Sequence, residues 1–193
     1  MASSPCKLGC VVMAAGNASR FGSNKLTADF HGQSLFSRAL AAVPKDRFTK
    51  VVVVTQYDAL LPEILAHGFL PIPNHQPELG QSHTLQLGLE ALADCDGVLF
   101  QVSDQPLLRQ ESIRQLLDLW EQQPDSIAAL ACEGSRGNPC LFPARLFPEL
   151  QQIQGDRGGS AVIRKHPQEL LLLEVPQEEL SDVDTLQELQ ALQ

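Results

Sequence analysis

Short apolar runs alternate with amphipathic segments through the first two thirds of the chain. The apolar runs predict strands at residues 7–13, 51–54, 69–72 and 98–102. The segments between them predict helices at 34–43, 60–67 and 80–93, and a fourth helix that is capped by Ser112 and carries Trp120. Because strands and helices alternate, we expect an α/β fold with a mostly parallel, Rossmann-like sheet and helices on both of its faces.

The pattern loosens after residue 122, although helices and strands can still be assigned. We expect strands at 127–131, 137–142 and 170–175, with helices at 160–166 and 184–192. Pro139 places the second of these strands at a sheet edge or a bulge. The last third is therefore predicted to be mixed α+β and to lie over the carboxyl ends of the first strands. A composition shift or linker is not apparent, so residues 1–193 are expected to form a single domain.

Composition limits the classes of partner. The 193-residue chain is 44 % hydrophobic, enough for a substantial core, and its net charge is −9. An acidic surface disfavours nucleic acid and anionic membranes as partners. No apolar run approaches the 18 residues of a membrane span, and residues 1–5 do not resemble a signal peptide. The five cysteines lack a CxxC pair, which favours reduced thiols and a cytoplasmic location.

The loop after the first strand carries the strongest candidate for a binding site. It contains small residues and two cations: Ala14, Ala15, Gly16, Arg20, Gly22 and Lys25. Small residues let the backbone approach a ligand closely, and backbone N–H groups can combine with two cations on one phosphate chain. Neither GxxxxGK[ST] nor GxGxxG is present. On residue types alone, a phosphate loop and an ordinary strand-to-loop connection both remain open.

Carboxylates in two places are further candidates for a binding site. Asp104 follows the fourth strand, where open α/β sheets bind ligands in a crevice, although an aspartate before Gln105-Pro106 is also common in turns. Asp182 and Asp184 lie just before the last helix, where capping of that helix is the alternative.

The spacing of these residues resembles that of a known family. Ala14-Ala15-Gly16-x-x-x-Arg20-Phe21-Gly22-x-x-Lys25 is similar to the AAGxSxRMGxxK loop of the MobA-like nucleotidyltransferases, particularly the molybdenum cofactor cytidylyltransferases. Four further segments resemble the family in the same order: 74–85, the Asp-Gln-Pro at 104–106, Arg136-Gly137-Asn138-Pro139 with 155–160, and 181–185. The resemblance implies a sheet of the nucleotide-diphospho-sugar transferase type, with a nucleotide-binding half at 1–122 and an acceptor-binding half at 123–193.

The resemblance also implies roles for individual residues. Arg20, Lys25 and Asp104 would be catalytic, and Asp104 would coordinate Mg²⁺ together with Asp184 or Asp182. The nucleotide-binding residues would be Ala14, Ala15, Gly16, Arg20, Gly22, Lys25, Asn74 and Thr84. The acceptor-binding residues would be Asn138, Asp156 and Arg157.

The reaction implied is transfer of CMP from CTP to the phosphate of a molybdopterin-type molybdenum cofactor, with release of pyrophosphate. Ala15 favours CTP, because the guanylyl branch typically has glycine there. GTP as donor and a sugar or polyol phosphate as acceptor remain alternatives. A non-catalytic carrier that delivers molybdenum cofactor to a molybdenum hydroxylase is the alternative from another class, and Arg20, Lys25 and Asp104 argue against it.

Overall fold

One seven-stranded sheet organises the structure. The computed structural model describes residues 6–16 and 25–192. Within these residues the strands are β1 (Leu8–Ala14), β2 (Asp29–Phe30), β3 (Gln33–Ser34), β4 (Lys50–Thr55), β5 (Leu70–Pro73), β6 (Gly97–Val102), β7 (Ile127–Cys132), β8 (Ser135–Pro143) and β9 (Leu170–Glu174). The strand order in the sheet is β5-β4-β1-β6-β8-β7-β9, and a two-stranded hairpin, β2-β3, lies outside it. Six of the seven strands point the same way, because β8 alone is antiparallel to its neighbours. The predicted mostly parallel sheet is therefore confirmed.

Strands and helices alternate as the sequence predicts. The helices are α1 (Leu35–Ala41), α2 (Leu61–Ala66), α3 (Gln81–Glu90), α4 (Gln110–Glu121), α5 (Phe147–Leu150), α6 (Ser160–Ile163) and α7 (Leu186–Ala191). Among the helices of the described residues, none combines the length and apolar character that crossing a bilayer requires.

The central strands are buried on both faces, which explains their continuous apolar sequence. Val11 of β1 lies in register between Val52 of β4 and Phe100 of β6. Helices α1, α2 and α4 contribute to the core on one face of the sheet, and α3, α5 and α6 contribute to the core on the other. Burial on both faces is typical of parallel strands whose crossovers are helical.

The last third extends this sheet, which corrects one prediction. Strands β8, β7 and β9 lie side by side beyond β6 rather than over the carboxyl ends of the first strands. Strand β8 is internal, so Pro139 is not at a sheet edge. The pairing of β7 with β8 is irregular between Ala129 and Ala131, opposite the part of β8 that contains Pro139. Of the two predicted settings for Pro139, the bulge is the one observed.

One helix start follows the sequence prediction and another does not. Ser34 caps α1, since its Oγ accepts the N–H of Ser37 at 3.0 Å. Ser112 does not cap α4, which begins two residues earlier at Gln110. The carboxylate of Glu179, almost fully buried, instead accepts the N–H of Arg109 at 3.1 Å. The cap prediction was wrong because this partner comes from far along the chain.

The closing helix is capped by a residue other than the two aspartates considered. Thr185 Oγ1 accepts the N–H of Glu188, whose carboxylate accepts the N–H of Thr185 at 2.8 Å, which is a capping box. Leu189 of α7 and the preceding Val183 pack with Phe30 in a small separate core. This packing anchors the segment that carries Asp182 and Asp184.

Candidate active site

A cavity of about 720 Å³ opens at the carboxyl ends of β1 and β6. Parallel sheets bind ligands at this edge, because the loops that follow the strands converge there. Its lining residues come from both halves of the chain: Met13, Ala15, Gly16, Lys25, Leu26, Pro77, Glu78, Leu79, Gly80, Gln81, Thr84, Val102, Ser103, Asp104, Gly155, Asp156 and Asp184. The strongest sequence candidates therefore meet in one cavity.

Lys25 lies between two carboxylates in this cavity. Its Nζ is 2.8 Å from Asp104 Oδ2 and 3.0 Å from Asp184 Oδ1, and it also donates to the carbonyl oxygen of Val183 at 3.1 Å. The Lys25 side chain is 14 % exposed, whereas that of Asp184 is 47 % exposed. One cation thus joins the loop after β1, the end of β6 and the segment before α7.

The surroundings of Lys25 keep its amine protonated. Burial lowers the pKa of this amine, but the charges and hydrogen bonds of Asp104 and Asp184 outweigh burial and raise the pKa above its usual value. A protonated ammonium next to a cavity is suited to an anionic ligand such as a phosphate.

Asp104 retains an oxygen that could coordinate a metal ion. Its Oδ2 is bound to Lys25, while its Oδ1 is buried and has no hydrogen-bond partner among the described residues. Within residues 6–16 and 25–192, no group of three or more metal-ligating side chains converges. Asp104 and Asp184 together fit a divalent metal ion, because hard cations are commonly held by one or two carboxylates plus substrate phosphates.

Asp182 points to a different partner. Its Oδ1 accepts from Gln105 Nε2 at 2.9 Å, and its side chain does not line the cavity. Desolvation and the nearby charge of Asp104 raise the pKa of the Asp182 carboxyl. Since Asp184 lines the cavity and Asp182 does not, the structure distinguishes two aspartates that the sequence could not separate.

The predicted phosphate loop is described in part. Ala15 and Gly16 line the cavity, but Ala14 is the last residue of β1 and is buried within the sheet. Arg20 and Gly22 lie outside the described residues. Their predicted roles therefore rest on the sequence.

The two nucleotide-binding candidates of the 74–85 segment have different positions. Thr84 lines the cavity from α3. Asn74 is buried behind it, where its Nδ2 donates to Thr84 Oγ1 at 3.1 Å and its Oδ1 accepts the N–H of Gln76 at 3.0 Å. Asn74 thus fixes the Thr84 hydroxyl and does not itself face the cavity.

Of the three acceptor candidates, one reaches the cavity. Asp156 lines it, whereas Asn138 and the exposed Arg157 do not. The loop of Asp156 contacts the start of α3 closely. The N–H of Ser82 in the first turn of α3 donates to the Gly155 carbonyl, and a Cβ on Gly80, just before α3, would lie 2.7 Å from Gly155 backbone atoms. The two halves therefore meet through backbone at one wall of the cavity.

Two residues that the sequence analysis did not select hold the loop after β1. Gln56 Nε2 donates to the Ala15 carbonyl oxygen at 2.8 Å, and the Tyr57 hydroxyl donates to the Gly16 carbonyl oxygen at 2.9 Å. Both directly follow β4, whose carboxyl end neighbours that of β1. Their position after a buried strand was the signal that could have identified them.

Comparison with known proteins identifies the family. The model of the MobA-like NTP transferase domain matches residues 10–170. The chain belongs to this nucleotidyltransferase family. It is also 27 % identical over 203 aligned positions to the purine catabolism protein PucB of Bacillus subtilis (strain 168), which covers 96 % of this chain and 95 % of that protein.

Solved structures share the fold of this MobA-like chain. A nucleotidyl transferase from Methanothermobacter thermautotroptrophicus superimposes with a TM-score of 0.81 at 20 % identity, covering 96 % of this chain and 95 % of the other. A manganese complex of Rv0371C from Mycobacterium tuberculosis H37Rv superimposes with a TM-score of 0.76 at 19 % identity, covering 96 % of this chain and 97 % of the other. The structure of CMP:2-keto-3-deoxy-manno-octonic acid synthetase complexed with CTP superimposes with a TM-score of 0.74 at 14 % identity, covering 96 % of each chain. At these identities the likeness shows the fold alone.

Proposed function

We propose that this nucleotidyltransferase moves CMP from CTP to the phosphate of a molybdopterin-type molybdenum cofactor and releases pyrophosphate. The observation that carries the proposal is the convergence of Lys25, Asp104 and Asp184 at the carboxyl edge of the sheet. CTP as donor is supported by Ala15 in the loop and by the fold shared with a synthetase that was solved with CTP. The acceptor is supported by the resemblance of the loop at residues 14–25 to that of the molybdenum cofactor cytidylyltransferases.

The chain contributes charge and positioning to this reaction. An oxygen of the acceptor phosphate attacks the α-phosphorus in line, the bond from that phosphorus to the β-bridging oxygen breaks, and pyrophosphate leaves with that bond's electrons. Lys25 places its ammonium against the α-phosphate or the acceptor phosphate, which lessens the repulsion between the two anions. No protein nucleophile is needed.

The remaining groups hold the nucleotide. The backbone of residues 14–22, with Arg20 and Gly22, binds the β- and γ-phosphates and stabilises the departing pyrophosphate. Thr84 supplies a hydroxyl from α3, and Asn74 keeps that hydroxyl in place. Asp156, which also lines the cavity, contacts the acceptor in this proposal.

A divalent metal, Mg²⁺ in this proposal, would be held by Asp104 and Asp184. When bound, it neutralises phosphate charge and polarises the phosphorus–oxygen bonds. Asp104 Oδ1 supports this assignment, because it is buried and none of the residues that the structure describes forms a hydrogen bond to it. The fold shared with a protein solved with manganese also supports it. Asp182, bound to Gln105, is not required as a ligand.

Transfer of label tests the proposal. Purified protein is incubated with Mg²⁺, molybdenum cofactor and α-labelled CTP or GTP, and both labelled cofactor and pyrophosphate are measured. We expect CTP-selective transfer. Preference for GTP would overturn the assignment of Ala15, and transfer only to a sugar or polyol phosphate would overturn the acceptor. Tight cofactor binding without transfer from either nucleotide would identify a carrier that serves a molybdenum hydroxylase.

A further inference from the structure

Two consecutive side chains donate to two consecutive carbonyl groups in the loop after β1. Gln56 binds the carbonyl oxygen of Ala15, and Tyr57 binds that of Gly16. Ala15 and Gly16 line the cavity, whereas neither Gln56 nor Tyr57 does. The two donors therefore lie on the side of the loop away from the cavity and draw the carbonyl oxygens toward themselves.

Because the peptide unit is planar, a hydrogen bond that fixes the direction of a carbonyl group also fixes the direction of the N–H in the same unit. In a trans peptide unit the C=O and the following N–H point in opposite directions. A carbonyl of Ala15 that is held toward Gln56 therefore turns the N–H of Gly16 to the opposite side, where the cavity lies. Tyr57 likewise holds the Gly16 carbonyl oxygen on the side of the loop away from the cavity.

We propose that Gln56 and Tyr57 are positioning residues that keep the carbonyl oxygens of Ala15 and Gly16 away from the phosphate chain of the nucleotide, and that Gln56 thereby turns the Gly16 N–H toward it. The inference rests on the proposed function, because it assigns this loop to the β- and γ-phosphates. A carbonyl oxygen facing a phosphate would repel it, while N–H groups in the same place attract it.

The state of Tyr57 agrees with a donor role. Burial raises the pKa of the Tyr57 hydroxyl, and the nearby charge of Lys25 lowers that pKa by a smaller amount. The pKa of this hydroxyl is therefore above its usual value. The phenol therefore keeps its proton at neutral pH and remains able to donate to the Gly16 carbonyl oxygen.

Nucleotide affinities of matched variants test the inference. The variants are Gln56→Met and Tyr57→Phe, singly and together, because each removes a donor at similar volume. Gln86→Met is the control, since Gln86 Nε2 also donates to backbone carbonyls, those of Gln151 and Ile153, but does not line the cavity. Calorimetry with Mg²⁺ measures the dissociation constants of CTP and CMP, or of GTP and GMP if the wild type prefers guanine.

We expect each variant to weaken triphosphate binding about three- to tenfold, the effect of one net hydrogen bond. Binding of the monophosphate, which lacks the β- and γ-phosphates, should stay within about twofold of wild type, as should both affinities of Gln86→Met. Equal losses for triphosphate and monophosphate would overturn the inference, since they indicate a general effect on the fold. Unchanged triphosphate binding would also overturn it, with the proposed function intact. A wild type that binds neither CTP nor GTP would overturn both.

Discussion

The ammonium of Lys25 brings together two carboxylates that would otherwise repel each other. Asp104 and Asp184 come from loops far apart in sequence, and each lies within 3.0 Å of Lys25 Nζ. The lysine ammonium thus lies between the two carboxylates that we propose as metal ligands. Metal and lysine should compete for these carboxylates until phosphates offer the lysine new partners.

Lys25→Met should therefore strengthen metal binding in the absence of nucleotide. The variant leaves two carboxylates without their cation, so we expect Mn²⁺ to bind about tenfold more tightly than to wild type. Electron paramagnetic resonance of free Mn²⁺ measures this affinity. Lys50→Met is the control, because Lys50 donates to the Ala91 carbonyl and does not line the cavity. Equal or weaker Mn²⁺ binding by Lys25→Met would contradict the competition.

Some residue positions could be predicted from the sequence and others could not. Lys25 and Asp104 were found because each follows a buried strand in a recognisable spacing. Asp184 could not be separated from Asp182, because the choice depends on the hydrogen bond from Gln105 to Asp182. Asn74 was expected at the nucleotide, yet its buried side chain supports Thr84. Such contacts between distant segments leave no local pattern.

At the scale of elements, Gly88 lets helix α3 approach strand β1. A Cβ at Gly88 would lie 2.5 Å from a methyl carbon of Val11, closer than packed atoms allow. In an exposed helix interior, alanine would be more stable than glycine by about 1 kcal/mol. Here the overlap with Val11 outweighs helix propensity.

Gly88→Ala should lower the free energy of unfolding by about 1–3 kcal/mol, the usual cost of overpacking a core. Urea denaturation measures it. Val11→Ala serves as the second arm of a double-mutant cycle, because it removes the methyl groups that overlap with the new Cβ. The double variant should be more stable than the sum of the two single losses implies. If the loss of stability in the double variant equalled the sum of the two single losses, the Cβ at position 88 and the methyl groups of Val11 would not be in steric conflict, which would contradict the close packing of α3 on β1.

The capping box of α7 stabilises the element next to Asp184. Thr185→Ala removes the acceptor for the Glu188 N–H and should lower the free energy of unfolding by about 1 kcal/mol. Chemical denaturation provides the measurement. Gln187→Ala, at an exposed position of the same helix, is the matched control and should change stability little. A loss no larger for Thr185→Ala than for Gln187→Ala would contradict the cap.

Elements were predicted best where local pattern decides them. The buried strands and the Ser34 cap depend on residues close in sequence, and both are as expected. The start of α4 depends on Glu179, and the placement of β7–β9 depends on pairing with β6 through β8. The hairpin that turns at His31 and Gly32, both with positive φ, is too short to show a hydrophobic period.

At the scale of the whole molecule, the thiols report on the packing of the core. Cys10, Cys95 and Cys140 are buried, and burial raises the pKa of each thiol. Since the thiolate is the reactive form, these three should resist a disulfide reagent in the native protein at pH 8. Cys6 is exposed and Cys132 is partly so.

A thiol-labelling time course checks this packing. We expect Cys6 to react first, Cys132 to follow, and the other three to react only in denaturant. Cys6→Ser should remove the fast phase and leave the slower one unchanged. Rapid reaction of more than two thiols without denaturant would show that the sheet is less tightly covered than described.

The whole-molecule arrangement was predictable in outline, because alternating strands and helices place loop residues at one sheet edge. The finer geometry of the cavity could not be predicted from the sequence. The backbone contact of Gly80 with Gly155 joins residues 75 positions apart, and neither composition nor hydrophobic periodicity predicts it. The cavity wall that carries Asp156 therefore emerged only from the structure.

The most direct test of the central claim compares Asp104→Asn with Asp182→Asn in transfer of label from α-labelled nucleotide. Both changes replace an aspartate in the same acidic region by its neutral amide. Asp104 lines the cavity beside Lys25, whereas Asp182 binds Gln105, which an asparagine oxygen can also do. We expect the turnover rate of Asp104→Asn to fall about 100-fold or more, and that of Asp182→Asn to stay within about threefold of wild type. Equal rates for the two variants, or a larger loss for Asp182→Asn, would contradict the assignment of the reaction to this cavity.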